Sequence, residues 1–408
     1  MASKIASINR MRCLCGRILP YSYSFKPNDI NGRLYTYSKT LSTVYKKQSV
    51  LQSPSVDQCY VSPRSPGIRF YSDGTLQPRP NETTDPYQLV EMELAAVCDN
   101  IKAELSTKKT SLREMTHYHF DGKGKAFRPM LVLLLAKLIN LEQGANRQSY
   151  LLDTQKKVAE IAEMIHVASL VHDDVIDASD IRRGKPSVHY SWGQQKAITA
   201  GDYILSAASM AIARIGDPDV VIVLAQVIED LVKGEFMQLG TKEKQNERFT
   251  HYLRKTYKKT ASLMANSCKA VAILGDVQES EVEMAYQIGR NIGIAFQLVD
   301  DMLDFTANEQ MIGKPTAADL KLGLATAPVL FACDQYPELH EMVMRRFSEE
   351  GDVDHARECV ALSDGVEQTK CLAESHCREA VKLLRHFRSS PEQTALIRIT
   401  DMVLSRKK

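Results

Sequence analysis

Two motifs with the spacing Asp-Asp-x-x-Asp carry the strongest chemical signal in this sequence. They consist of Asp173, Asp174 and Asp177, and of Asp300, Asp301 and Asp304. Residues four apart on a helix share a face, with Cβ atoms roughly 5–6 Å apart, so each motif pairs two carboxylates. Each motif closes a mostly apolar segment, where an unpaired carboxylate is costly. The pattern therefore predicts a positive ligand, and Mg²⁺ prefers one or two carboxylates plus substrate phosphate oxygens.

Basic residues in or beside turns flank both motifs. They are Lys125, Arg128, Arg182, Arg183, Lys259 and Lys314. Adjacent arginines directly after a metal cluster suit two separate phosphate groups. An isolated basic loop usually forms a solvated surface, so each of these segments is weak on its own. His166 lies two helical turns before Asp173, and its pattern fits a buried core histidine as well as a ligand-binding one.

The elements that must position these residues are helices. From about Tyr87 onward apolar residues recur at three- and four-residue spacing, and alternating strand patterns are scarce. The segments 158–171 and 288–299 are mostly apolar, which is typical of helices buried in the middle of a bundle. The sequence therefore predicts an all-α fold, a large single-domain helical bundle around a central cavity. The two aspartate motifs should meet at the mouth of that cavity.

Composition argues against several other classes of protein. The 408 residues are 44% hydrophobic and 25% charged, with a net charge of +2, and nothing indicates nucleic-acid binding. The longest apolar run, 130–136, is far shorter than the ~20 residues of a membrane-spanning helix. The nine cysteines include no Cys-x-x-Cys pair and no zinc spacing, which favours reduced thiols.

The N-terminal segment has the composition of a mitochondrial transit peptide. Residues 1–56 contain nine basic residues but a single acidic one, Asp29, and no apolar stretch follows the first basic residues. The sequence Arg69-Phe70-Tyr71-Ser72 resembles a matrix-protease site, which predicts a transit peptide over 1–71. Residues 72–86 are expected to form a linker and 87–408 the helical domain. A basic, unstructured cytosolic tail is the alternative.

Together, these motifs resemble the trans-isoprenyl diphosphate synthases. The resemblance rests on GKAFRP, HDDVID, RRGK, KKTASL, FQLVDDMLDF and GKPTAADL, which run from Gly124 to about Pro328. It implies the isoprenoid-synthase fold and Mg²⁺-dependent, head-to-tail condensation of isopentenyl diphosphate with an allylic diphosphate such as farnesyl or geranylgeranyl diphosphate. The segments EMIHVASLVHDDVID and GLATAPVLFA are most similar to subunit 1 of decaprenyl and solanesyl diphosphate synthases. Those enzymes make the all-trans side chain of ubiquinone.

The resemblance also implies a role for each matching position. Asp173 and Asp177 would bind Mg²⁺ that bridges the allylic diphosphate, with Asp174 supporting them. Asp300, Asp301 and Asp304 would hold further Mg²⁺, directly or through water, with Asp300 as the direct ligand among them. Isopentenyl diphosphate would be held by Lys125, Arg128, His166 and Arg183. The allylic substrate would be held by Arg182, Lys259, Thr260, Gln297 and Lys314. Ala168 and Ser169, one turn before Asp173, would set the chain length, and because both are small we predict a long product.

One position departs from the pattern. Many relatives carry Gly-Lys-x-Thr where this chain has Gly323-Leu324-Ala325-Thr326, so a lysine that faces the diphosphate is missing. Lys321 or a partner chain could replace it. The resemblance implies a hetero-oligomer with a second, divergent synthase subunit in the mitochondrial matrix, and leaves peripheral association with the inner membrane open.

Three rival interpretations are weaker. A non-catalytic subunit of the same family tends to lose one or both aspartate motifs, and this chain keeps both. A terpene cyclase or head-to-head synthase would not need the pair Lys125 and Arg128 for isopentenyl diphosphate. In a structural or Ca²⁺-binding helical protein, the basic residues would repel a cation that arrived without phosphate.

Overall fold

The computed structural model describes residues 85–121, 124, 126–144, 151–239, 245–306 and 317–406. The predicted transit peptide, all of the predicted linker except its last two residues, and the loop residues Lys125 and Lys314 lie outside these ranges. The predicted domain boundaries therefore stay predictions.

The described residues are overwhelmingly α-helical. The helices are α1 Glu91–Glu104, α2 Thr110–His117, α3 Phe127–Glu142, α4 Asp153–Ile176, α5 Val188–Trp192, α6 Gln194–Ile215, α7 Pro218–Leu239, α8 Arg248–Thr256, α9 Ser262–Leu274, α10 Glu279–Thr306, α11 Ala318–Lys321, α12 Ala327–Ala332, α13 Leu339–Met344, α14 Asp352–Leu362, α15 Gly365–Leu384 and α16 Pro391–Leu404. Short 3₁₀ turns cover Gln88–Val90 and Gln245–Glu247, and a π-helical turn covers Tyr257–Ala261. None of the described helices combines the length and apolarity that crossing a bilayer requires.

The core forms where the most apolar helices pack together. One buried cluster joins side chains of α3, α4, α9, α10 and α15. Within it, every residue from Met130 to Ile139 on α3 is buried, as are most residues of α4 from Val158 to Val171. A smaller cluster joins α11 to α14. The prediction that 158–171 and 288–299 are central helices is thus confirmed.

Two glycines allow the π-helical turn to lie very close to its neighbours. A Cβ added at Gly234 on α7 would come within 2.9 Å of the Lys259 backbone nitrogen. One added at Gly293 on α10 would come within 2.7 Å of the Ala261 Cα. Real Cβ atoms do not approach backbone so closely, so these positions require glycine. The turn is therefore held tightly between α7 and α10, and π turns of this kind are frequent at functional sites.

Within the described ranges, the strands form one small hairpin, which the helical pattern did not predict. Ile181–Arg182 (β1) pairs antiparallel with Lys185–Pro186 (β2). The two turn residues, Arg183 and Gly184, have φ angles of 53° and 75°. Positive φ at both positions is what a two-residue type I′ turn requires. The hairpin therefore directs the neighbouring side chains of Arg182 and Arg183 to different partners.

Candidate active site

The first aspartate motif lies at the C-terminal end of α4. Asp173 and Asp174 belong to the last turn, and Asp177 is the residue that caps the helix. The Lys259 Nζ lies 3.7 Å from Asp173 Oδ1 and 2.6 Å from Oε2 of Glu235 on α7. Burial raises the pKa of Asp173 to about 6 and also raises that of Asp177. Burial alone would lower the pKa of Lys259, but Asp173 and Glu235 outweigh it, and the net pKa is raised.

Asp174 has a structural partner within the hairpin. Its carboxylate is fully buried and accepts hydrogen bonds from Nε and Nη2 of Arg182, at 2.7 and 2.5 Å. The second oxygen, Oδ2, has no hydrogen-bond partner among the described residues. Arg182 therefore anchors the hairpin to the aspartate motif in addition to any contact that it makes with substrate.

This ion pair leads to a first prediction. Replacing Arg182 by Gln should lower the free energy of unfolding by ~3–5 kcal/mol, because removing one partner leaves a buried carboxylate uncompensated. The double variant Arg182→Gln, Asp174→Asn should recover much of the loss, and both can be measured by urea denaturation. The matched control is Arg183→Gln, since Arg183 is exposed. Equal destabilisation by both single variants would contradict this role of the pair.

The second motif lies on the last two turns of α10 and is tied to neighbouring helices. The buried carboxylate of Asp301 accepts hydrogen bonds from Tyr252 Oη at 2.5 Å and from Gln297 Nε2 at 2.7 Å. Oε1 of Gln297 in turn accepts a hydrogen bond from Thr260 Oγ1 at 2.8 Å. Burial raises the pKa of Asp301 to about 6. The predicted pair Thr260 and Gln297 is thus in direct contact.

The other two aspartates of this motif differ in exposure. Asp300 is exposed, and Nη2 of Arg406 lies 3.3 Å from its Oδ1. Both carboxylate oxygens of Asp304 accept hydrogen bonds from backbone amides, those of Ala318 and Asp319 at 3.0 and 3.1 Å. Asp304 therefore positions α11. Of the three, Asp300 is the one most accessible to a metal ion.

The π-helical turn connects the two motifs. Lys259 reaches towards Asp173, while its neighbour Thr260 contacts Gln297, which contacts Asp301. An unbroken series of contacts therefore runs from one aspartate motif to the other. This is the arrangement that the predicted shared cavity requires, although the individual roles of the residues stay predictions.

A second basic group lies at the start of α3 and beside the hairpin. Nη2 of Arg183 lies 3.4 Å from Nε2 of His166, and a Cβ added at Gly124 would come within 2.9 Å of the Arg183 guanidinium. Burial lowers the pKa of Arg128 to about 10, although Glu163 opposes this. Burial, together with Arg128 and Arg183, lowers the pKa of His166 well below its usual value. Three of the four residues predicted to bind isopentenyl diphosphate, Arg128, His166 and Arg183, therefore form one group with a neutral histidine.

Several residues of the site were missed by sequence reasoning. They are His119, Glu163, Glu235, Tyr252, Asp319 and Arg406. His119 is buried, and burial together with the charges of Lys185 and Arg183 lowers its pKa to about 4. Burial raises the pKa of Asp319 to about 8. Glu163 and Asp319 lie inside the quoted segments EMIHVASLVHDDVID and GKPTAADL, and Glu235 follows a glycine in the apolar helix α7, so each had a local signal. The other three have none, because packing between distant segments brings them to the site.

The two predicted chain-length residues lie on α4 below the first motif. Ala168 is fully buried, and Ser169 is half-buried with its Oγ donating to the His166 carbonyl at 2.8 Å. Both side chains are small, and both lie about one turn before Asp173. Their place in the structure is compatible with a limit on product length, which stays a prediction.

The donor set fits a divalent ion that arrives with phosphate. Oδ2 of Asp174 and Oε1 of Glu235 are buried without a hydrogen-bond partner among the described residues. Among the described residues, one group of three His, Cys, Asp or Glu donors has its ligand atoms within 4.8 Å of one another, Glu338, His355 and Cys359, and it includes none of the motif aspartates. The aspartates thus offer one or two ligands at a time, as suits Mg²⁺ completed by phosphate oxygens.

A helical bundle in which contacts join two aspartate motifs beside arginines and lysines is the architecture of a prenyltransferase acting on diphosphates. Comparison with known proteins supports this class directly. The profile of the polyprenyl synthetase family matches residues 109–360. The chain belongs to the polyprenyl synthetase family.

Similar proteins include long-chain synthases. The chain is 57% identical over 325 residues to the Homo sapiens all trans-polyprenyl-diphosphate synthase, covering 80% of this chain and 78% of that one. It is 41% identical over 343 residues to decaprenyl-diphosphate synthase subunit 1 of Schizosaccharomyces pombe, covering 78% and 91%. The predicted family and the predicted enzyme class are therefore confirmed.

Solved structures agree with the fold. A Caulobacter crescentus polyprenyl synthase, crystallised with calcium and isoprenyl diphosphate, aligns with a TM-score of 0.72 at 29% identity and covers 81% of this chain and 100% of that one. A decaprenyl diphosphate synthase from Rhodobacter capsulatus aligns with a TM-score of 0.70 at 28% identity, covering 79% and 98%. The predicted all-α isoprenoid-synthase fold is confirmed.

Proposed function

We propose that this chain is the catalytic subunit of a mitochondrial trans-polyprenyl diphosphate synthase. It adds isopentenyl diphosphate repeatedly to an allylic primer, such as farnesyl or geranylgeranyl diphosphate, and makes the long side chain of ubiquinone. The observation that carries the proposal is the contact series that joins Asp173 to Asp301 beside the arginine group. Relatives named as mitochondrial hexaprenyl and solanesyl synthases support both the product class and the compartment. The matrix is the proposed location within it.

Two separate groups of basic residues would bind the two diphosphates, one group beside the first aspartate motif and the other at the start of α3. Lys259, beside Asp173, and Arg182, beside Asp174, would stabilise the charge that develops on the allylic diphosphate as its carbon–oxygen bond breaks. Mg²⁺ bound by Asp173, Asp177 and Asp300 would neutralise further charge on that diphosphate. The arginines at 128 and 183 would hold isopentenyl diphosphate.

The remaining steps need no nucleophilic side chain. The isopentenyl double bond attacks the allylic cation and forms one carbon–carbon bond, and the departing pyrophosphate accepts the proton that is lost. His166 is neutral at physiological pH because burial lowers its pKa. It can therefore accept a hydrogen bond from Arg183 and orient that guanidinium without adding positive charge.

The metal assignment predicts a defined pH dependence. The pKa of Asp173 and that of Asp301 are each about 6, above the ~4 of an unfolded aspartate. The metal-free protein should therefore lose stability as pH rises from about 4 through 6, where these buried groups ionise. Mg²⁺ binds the ionised carboxylates, so it should raise Tm most above pH 7 and much less at pH 5. Scanning calorimetry with Mg²⁺ and pyrophosphate tests this, and an equal shift at pH 5 and pH 8 would contradict it.

The overall proposal is tested by sizing products. The purified chain is incubated with farnesyl diphosphate, radiolabelled isopentenyl diphosphate and Mg²⁺, alone and after co-expression with a divergent synthase subunit. We expect products of several to ten isoprene units, with a large increase when the partner is present. Absence of any elongated product from both preparations would reject the catalytic assignment, and equal activity in both would reject the need for a partner.

A further inference from the structure

A cavity of about 90 Å³ lies beside the second aspartate motif. Its walls come from the end of α7, from α8, from the turn at 323–325 and from the end of α13. Two of the lining residues touch the active site directly. Tyr252 donates a hydrogen bond to Asp301, and Gln238 accepts one from Lys259 at 3.4 Å. The cavity is therefore lined by one residue that contacts the second motif, Tyr252, and by one that contacts Lys259 beside the first motif, Gln238.

Lys255 lines this cavity and differs from the lysines that follow it. Nζ of Lys258 is 2.7 Å from Asp230, and that of Lys259 is 2.6 Å from Glu235. The half-buried Lys255 ammonium has no hydrogen bond or ion pair within 4.0 Å among the described residues, and it lies 5.7 Å from the centre of the Tyr252 ring. Apart from the Tyr252 ring, nothing in the described part of the chain fixes this cation at the edge of the site, and such a charge suits an anionic ligand.

Two carboxylates of the site act on the charge of Lys255. Burial lowers its pKa, whereas the nearby carboxylates of Asp301 and Asp319 act in the opposite direction. Arg346 also lines the cavity, but its guanidinium already donates a hydrogen bond to the Gln238 carbonyl at 2.8 Å. Lys255 is therefore placed to meet a phosphate group next to Asp301.

Leu324 lines the same cavity. Its backbone nitrogen donates to the carbonyl of Asp319 at 2.9 Å, which fixes the turn beside the second motif, and its side chain lines the cavity together with Lys255. Lys321, the replacement considered from the sequence, is exposed and is not among the lining residues. Side chains at 255 and 324 can therefore place a charge in one and the same space.

We propose that Lys255 binds the diphosphate of the allylic substrate from the side of α8, and supplies the positive charge that Leu324 cannot. The inference rests on the proposed function of the site, since it takes the allylic diphosphate to lie between the two motifs. It makes the chain's own α8 the source of the cation, so that a partner chain need not provide one.

The test is to remove the positive charge at position 255 and to introduce one at position 324. Lys255→Met should raise the KM for farnesyl diphosphate by ~10-fold or more, the effect of losing one charged hydrogen bond, and leave the KM for isopentenyl diphosphate within ~2-fold. Adding Leu324→Lys to that variant should restore the farnesyl diphosphate KM to within ~3-fold of the parent. Lys321→Met is the matched control and should behave like the parent.

A binding measurement separates this inference from the proposed function. Titration calorimetry with inorganic pyrophosphate and Mg²⁺ should show the same loss in Lys255→Met and the same recovery in the double variant, whether or not the chain turns over. A Lys255→Met variant with the parent's affinity would overturn the role of Lys255. So would a double variant as weak as Lys255→Met, since a purely structural lysine is not rescued from position 324. Absence of turnover in the parent, with these binding results intact, would count against the proposed function alone.

Discussion

Asp173→Asn is expected to lower the turnover number at least ~100-fold, the size of effect seen when one preorganised charge-stabilising group is removed from an active site. Asp173 lies beside Lys259 and Asp177 at the end of α4, and asparagine keeps its size while removing the negative charge that would bind Mg²⁺. Steady-state kinetics with farnesyl diphosphate, isopentenyl diphosphate and Mg²⁺ measure the loss.

Stability distinguishes this effect from simple unfolding. Burial raises the pKa of Asp173, which means that its charge is costly in the metal-free protein. The asparagine variant should therefore keep or raise the Tm measured without metal, and it should lose much of the Tm increase that Mg²⁺ and pyrophosphate produce. Asp99→Asn is the matched control, because Asp99 is an exposed helical aspartate whose nearest cation, Lys102, is 3.8 Å away. If the turnover number of Asp173→Asn were within ~3-fold of that control, the assignment of Asp173 as a metal ligand would be wrong.

The sequence predicted those features that depend on spacing along one helix. Asp173 and Asp177 share a helix end because four residues make about one turn, and the apolar segments of α4 and α10 are buried because few polar residues interrupt them. Pro129 falls in the first turn of α3, as its missing amide allows. Local periodicity was sufficient for the fold class and for the position of each motif.

Features that depend on contacts between distant segments could not be predicted in this way. Tyr252 supports Asp301 from α8, and Arg406 reaches Asp300 from beyond the end of α16. No local sequence pattern predicts such contacts, because the packing of whole helices brings the two residues together. The ion pair of Arg182 and Asp174 depends on the twist of a two-residue hairpin turn within an otherwise helical region. Only a structure shows that Arg182 and Arg183 have different partners.

The length of the product should respond most strongly to position 168. Ala168→Phe is expected to shorten the main product by several isoprene units, because a ring there would block the growing chain if, as we predict, it extends along α4 below Asp173. Reversed-phase chromatography of the dephosphorylated products measures the distribution. Ala168→Ser is the control for bulk, and it should leave the product length unchanged.

A second variant keeps this prediction testable if the first is unstable. Ala168 is fully buried, so phenylalanine costs ~1–3 kcal/mol of overpacking, and the Tm of the variant must be measured alongside its products. Ser169 is only half-buried, and Ser169→Phe adds the same ring one residue nearer to Asp173 at a smaller cost. If the space under Asp173 limits the chain, at least one of these folded, active variants must stop early. Parent-length product from both would show that the growing chain takes a path away from this face of α4.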